Sequence, residues 1–118
     1  MRTVLVDTGP LYALADKNDS WHERVVSFVQ SVASRLIVPI TVVPEASYLI
    51  AKFLGSEAEI ALAESVQRGE VAVEPLTKPD WSRTVAIMRK YVDAELGFVD
   101  ASVVAVAPSG RVPLTTTA

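Results

Sequence analysis

Short apolar runs alternate with longer amphipathic stretches along this chain, and the alternation predicts most of its elements. Thr3 to Val6 is a β-rich run that ends at Asp7-Thr8-Gly9-Pro10, where glycine and proline mark a turn and a helix start. Trp21, Val25, Phe28, Val29 and Val32 recur at offsets 0, 4, 7, 8 and 11, the spacing of one helix face. Ser20 and Glu23 beside that face form a candidate capping box. Leu36-Ile37-Val38 reads as a second strand, closed by Pro39. Val42, Ala46, Leu49, Ile50 and Phe53 repeat the helical spacing, and Gly55 is the expected stop.

The second half continues the pattern. Ser56 with Glu59 is another candidate capping box, opening a helix that runs to about Arg68 and ends at Gly69. Val71-Ala72-Val73 is a third strand, bounded by Pro75. Thr77 to Asp80 can cap a helix that carries Trp81, Val85, Met88 and Val92 at offsets 0, 4, 7 and 11. After Gly97, the residues Asp100, Val103, Val104 and Ala107 are expected on one face of a short helix, and Val112 to Thr116 is a last β-like run. Strands alternating with helices call for an α/β domain with a parallel or mostly parallel sheet, covered by helices and joined by right-handed crossovers. No repeat or linker divides the chain, so a single domain is expected.

Composition narrows the chemistry. The 118 residues are 50% hydrophobic and 21% charged, enough for a core without staples. The absence of cysteine excludes a disulfide scaffold and a thiolate zinc site, and His22 as the only imidazole excludes a two-histidine zinc centre. Eleven basic residues against fourteen acidic ones leave a net charge of −3, so bulk charge does not attract a polyanion. A nucleic-acid role must come from a localised patch, or from metal ions that bridge acids to phosphate. The N-terminal stretch reads neither as a signal peptide nor as a membrane span, and a cytoplasmic protein is expected.

Three acids stand in unusual company. Asp7 follows an apolar strand at its carboxyl end, where open parallel sheets form their functional crevice. Glu45 lies in an almost wholly apolar segment, Val42 to Phe53, and Asp100 is expected at the start of an apolar helix face with no basic partner on that helix. Each has an ordinary explanation: Asp7 as an N-cap, Glu45 and Asp100 as first-turn partners of a helix dipole. Jointly they suggest a hard-oxygen site, which without His or Cys suits Mg²⁺ or Mn²⁺. The other acids, such as Glu57, Glu59, Glu64 and Glu70, read as the wet side of a helix.

The stretch from Val6 to Leu14, then Val43-Pro44-Glu45-Ala46-Ser47-Tyr48-Leu49, then Lys90-Tyr91-Val92-Asp93 leading to Leu96-Gly97-Phe98-Val99-Asp100-Ala101-Ser102-Val103-Val104-Ala105, resembles a PIN domain of the VapC toxin type. The resemblance spans residue 3 to about residue 107. It implies a PIN-like three-layer α/β/α domain with a central, mostly parallel sheet of four to five short strands. It also implies an Mg²⁺- or Mn²⁺-dependent endoribonuclease, the toxin of a type II toxin–antitoxin pair, with Asp7, Glu45 and Asp100 as its catalytic acids. Asp7 and Asp100 match the direct metal ligands, and Asp93 matches a less central acid. RNA as substrate, a cognate antitoxin and a homodimer follow from the same resemblance.

The C-terminal end departs from the family pattern. The chain reads Pro108-Ser109-Gly110 and later Thr115-Thr116-Thr117-Ala118, so Thr117 stands where a fourth acid is expected. A hydroxyl cannot supply that charge. The expectation is a single domain over 1–118, shortened or altered after about residue 107 by truncation or a shifted frame, a hypothesis the nucleotide sequence decides. The alternative function is a catalytically impaired PIN-like protein that binds antitoxin or RNA without cleavage. A third reading, from the protease-like signature Leu5-Val6-Asp7-Thr8-Gly9, demands an all-β dimer with a glycine-rich flap, which five glycines and four or more helical patterns contradict.

Overall fold

The computed structural model describes residues 3–31, 35–107 and 112–114. Four strands, β1 (Thr3–Val6), β2 (Arg35–Pro39), β3 (Ala72–Glu74) and β4 (Val112–Leu114), form one sheet in the order β3-β2-β1-β4. Every pairing is parallel: Leu5 stands opposite Ile37 on one side and Pro113 on the other, and Val38 opposite Val73. Pro113 lacks an N–H, which an edge strand such as β4 tolerates. Among the described residues six helices connect the strands: α1 (Thr8–Ala15), α2 (His22–Ser31), α3 (Val42–Leu54), α4 (Ser56–Gln67), α5 (Lys78–Lys90) and α6 (Phe98–Val106), with a 3₁₀ turn at Val92–Ala94.

The strand order explains the layers. From β1 the chain moves outward through β2 to β3, then returns to add β4 on the far side of β1. Right-handed crossovers put α1 to α4 on one face of the sheet and the α5–α6 pair on the other. Both faces are accordingly dry: Val4, Leu5 and Val6 are all buried although their side chains alternate across the sheet. The core joins these to Ile37 and Val38 of β2, Val42 and Ala46 of α3, and Val103 and Val106 of α6. The result is a three-layer α/β/α domain. No helix among the described residues is long and apolar enough to cross a membrane.

Local signals account for some of the helix ends. Thr77 accepts from the Asp80 N–H at 3.2 Å while the Asp80 carboxylate accepts from the Thr77 N–H at 2.9 Å, the expected capping box at α5. Gly55 ends α3 at a φ of 95° and donates its N–H to Ala51 O at 3.1 Å. The two other capping boxes do not form. At α2 the Asp19 carboxylate takes the Trp21 N–H at 2.8 Å in place of the Ser20–Glu23 pair. At α4 Ser56 is already helical, and Glu59 instead accepts the Ser47 hydroxyl of α3. Tertiary packing gave that carboxylate a better donor than the helix end.

His22 has a structural role. Its Nδ1 lies 2.6 Å from Ala13 O, and because a carbonyl only accepts, that nitrogen carries the proton and ties α2 to α1.

Two predicted apolar faces are turned differently. On α5, Trp81 and Val85 are 50% and 51% exposed, and the fully buried residue is Thr84. Thr84 can enter the core because its hydroxyl donates to Asp80 O at 2.7 Å. On α6, Ala101, Ser102, Val103, Ala105 and Val106 are buried while Asp100 and Val104 share the exposed strip. Asp100 therefore does not begin a buried face, because a short helix wedged against sheet and α5 buries a wide arc and leaves only that strip outside.

Candidate active site

Asp7 is the first residue beyond β1 and the N-cap of α1, where its Oδ1 accepts the Thr8 N–H at 2.7 Å. Its place is dictated by topology. The strand order reverses between β1 and β4, and the crevice of an open parallel sheet lies at the carboxyl ends of the strands beside such a reversal. Glu45 stands in the first turn of α3, which follows the carboxyl end of β2, and Asp100 stands in the first turn of α6. Each acid thus also serves a helix end, as the ordinary explanation for it requires.

The cap role does not account for the electrostatics of Asp7. Burial pushes its carboxyl above the ordinary aspartate value, the Thr8 N–H pulls it back, and the negative charges of Asp100 and then Glu45 push it up again. No cation counters them among the groups that shift it. Asp7 alone carries a burial cost, since Glu45 and Asp100 are exposed at the rim. Apolar sequence surroundings, expected for all three acids, translate into partial burial for Asp7 alone. Asp93, in the 3₁₀ turn, is exposed.

These donors suit one kind of metal better than another. Among the described residues no three His, Cys, Asp or Glu side chains stand close enough to enclose an ion by themselves. Asp7, Asp100 and Glu45 are near enough to repel and too far apart for a closed protein cage. That arrangement fits Mg²⁺, which binds through one or two carboxylates and keeps several waters. It does not fit a structural site with a full set of protein ligands. Beside Asp7, the Thr8 hydroxyl is buried without a hydrogen-bond partner among the described residues, a further hard oxygen at the same strand end.

Two polar groups at this end lie within the stretches that carry the family resemblance but were not singled out as site residues. Thr8 reads in sequence as an ordinary turn residue. Ser102 is fully buried in α6 and bonds Thr41, the residue before α3. The only sequence signal was a serine inside the apolar run Ala101 to Val106. Thr117 and the segments 108–111 and 115–118 lie outside the described residues, as does Val32 of the predicted α2 face.

The chain matches the PIN domain family over residues 4–117. It belongs to that family. This PIN domain is 30% identical over 108 residues to Ribonuclease VapC26 of Mycobacterium tuberculosis, an alignment covering 92% of this chain and 80% of that protein. Its fold is similar to the crystal structure of Mycobacterium tuberculosis VapC20, described as a sarcin-ricin loop cleaving toxin. There the TM-score is 0.80 at 24% identity, over 89% of this chain and 81% of that one. It is also similar to FitAcB from Neisseria gonorrhoeae, with a TM-score of 0.60 at 20% identity over 89% and 80% of the two chains. These two likenesses concern the fold of the PIN domain. The sequence relative named a ribonuclease bears on activity.

Proposed function

We propose that this PIN domain is a divalent-metal-dependent endoribonuclease, acting in the cytoplasm as the toxin of a type II toxin–antitoxin pair. Its catalytic acids are Asp7, Glu45 and Asp100. The observation that carries the reading is the half-buried Asp7, pressed by two other carboxylates, in a chain whose relative is a VapC ribonuclease. The partners are RNA as substrate, a cognate antitoxin and a second copy of the chain as a homodimer.

Asp7 and Asp100 would hold Mg²⁺ or Mn²⁺. Such an ion supplies positive charge against the phosphate and lowers the pKa of water. The chain's own residues do the rest. Asp7 is held in one orientation by the Thr8 N–H and by its place at the strand end. Glu45, exposed at the rim, offers a carboxylate that can orient a water and accept a hydrogen bond from it. The first turns of α1, α3 and α6 direct their N–H groups toward this end, which favours the negative charge of a scissile phosphate.

The deciding experiment is cleavage of a mixed RNA pool with Mg²⁺ or Mn²⁺, with EDTA, and with Asp7→Asn. Activity that survives both chelation and substitution refutes the proposal. One observation favours a second reading, a PIN domain that binds RNA or antitoxin without cutting: Thr117 stands in the sequence where the family pattern has a fourth acid. Saturable Mn²⁺ binding that depends on Asp7 and Asp100 separates the two, because the non-cutting protein should show none.

A further inference from the structure

The chain is acidic, yet its α5 helix is not. Between Lys78 and Lys90 it carries Lys78, Arg83, Arg89 and Lys90 against the single acid Asp80. All four cations are exposed, and none is held in an ion pair among the described residues, where the pair found is Arg68–Glu70. Asp80 is engaged in the capping box with Thr77. This is the localised basic patch that net charge had hidden.

The same helix shows its apolar stripe to solvent. Lys78, Trp81, Val85 and Arg89 follow one another at helical spacing along one exposed strip. Trp81 is braced from behind: its ring stacks on Phe98 with centroids 5.3 Å apart and planes 23° from parallel, and Phe98 is two residues from Asp100. A half-exposed indole fixed at the first turn of α5 is therefore held against the first turn of α6, the helix that bears Asp100. An aromatic platform flanked by unpaired cations is the composition that holds single-stranded nucleic acid, bases on rings and phosphates on cations. A second copy seated on this strip would set one basic helix against another.

We propose that the outward strip of α5, the helix packed on the one that bears Asp100, receives single-stranded RNA, with Trp81 stacking a base and Lys78 and Arg89 contacting phosphates. This rests on the RNA-cleaving reading above, and the test keeps the two separate. The full chain, in EDTA to prevent cleavage, is titrated with a short oligouridylate, in a Trp21→Phe background so that fluorescence reports Trp81. The expected result is quenching of Trp81. Trp81→Ala weakens binding about tenfold, and Trp81→Phe restores most of it. Lys78→Gln and Arg89→Gln each lower the salt slope of binding by about 0.7.

Absence of quenching together with an unchanged salt slope overturns the proposal. So does a Trp81→Ala protein whose mass in solution or antitoxin affinity changes while its oligouridylate affinity stays as it was, since the strip is then a protein interface. Quenching and slope as expected, in a protein that no metal makes cleave, leaves the RNA strip standing and removes the nuclease reading. Metal-dependent cleavage with the same KM in Trp81→Ala removes the strip and leaves the nuclease.

Discussion

Thr41 Oγ1 lies 2.6 Å from Ser102 Oγ, and the direction of that bond can be worked out. Ser102 Oγ also lies 2.6 Å from Val99 O, a carbonyl that only accepts, so the single Ser102 hydroxyl proton goes there. Thr41 is therefore the donor to Ser102. The bond joins the residue before α3 to the buried side of α6, and so couples the helix that bears Glu45 to the helix that bears Asp100.

Ser102→Ala should accordingly do two things. It removes two hydrogen bonds at a fully buried position and should cost about 1–2 kcal/mol, read as a lower urea midpoint with an unchanged m-value. It should also reduce kcat more than it raises KM, because the relative placement of Glu45 and Asp100 loosens while the RNA-contacting surface is untouched. An unchanged kcat at full folding would show that the bond is structural only.

Asp7 sets a pH dependence whose sign follows from its raised pKa. Below the ordinary aspartate value the group is neutral in both folded and unfolded chains, and its contribution to stability is fully present. As pH rises through the raised folded value, the native state must accept a buried charge beside Asp100 and Glu45, and that contribution is lost. Without metal, Asp7→Asn should therefore match the wild type in stability at low pH and exceed it at neutral pH. Asparagine keeps the acceptor for Thr8 N–H, so the N-cap survives. A pH series of thermal unfolding in EDTA checks this, and an Asp7→Asn protein that is less stable at neutral pH contradicts it.

Metal should reverse that order. Mg²⁺ or Mn²⁺ bound only to the folded wild type at about 100 times Kd adds about 2.7 kcal/mol, visible as a rise in Tm. Asp7→Asn and Asp100→Asn should show a much smaller rise, and Asp93→Asn should behave as wild type, since Asp93 is exposed in the 3₁₀ turn and is not one of the three acids of the proposed site. An equal rise in all three variants would place the ion elsewhere.

Gly55 offers a prediction free of the site. It joins α3 to α4 without a linker at φ 95° and ψ 173°, a region that essentially only glycine enters. A Cβ added there meets nothing within 4 Å, so the penalty for alanine is conformational and not steric crowding by neighbours. Gly55→Ala should cost about 1–3 kcal/mol of stability in denaturant titration while leaving RNA cleavage by the folded protein unchanged.

Much of this domain is decided locally, and that much was legible. The strand at Thr3–Val6 and the helix starts at Asp7 and Thr77 each follow from a few adjacent residues, because turn chemistry, caps and hydrophobic period act over one or two turns of chain. The family resemblance at Asp7, Glu45 and Asp100 was likewise visible in short motifs. Tertiary structure decided the rest. Whether Glu59 caps its own helix or accepts from Ser47 depends on a neighbour twelve residues back. A stripe of Trp81 and Val85 looks the same in sequence whether it faces the core or solvent, and only the packing of α5 on α6 turned it outward. Burial at Asp7 alone, with Glu45 and Asp100 at the rim, comes from the strand order and the placement of three helix ends. Charge spacing in sequence cannot contain that, since the repulsion among the three acids exists only once the chain has folded and brought them to one end of the sheet.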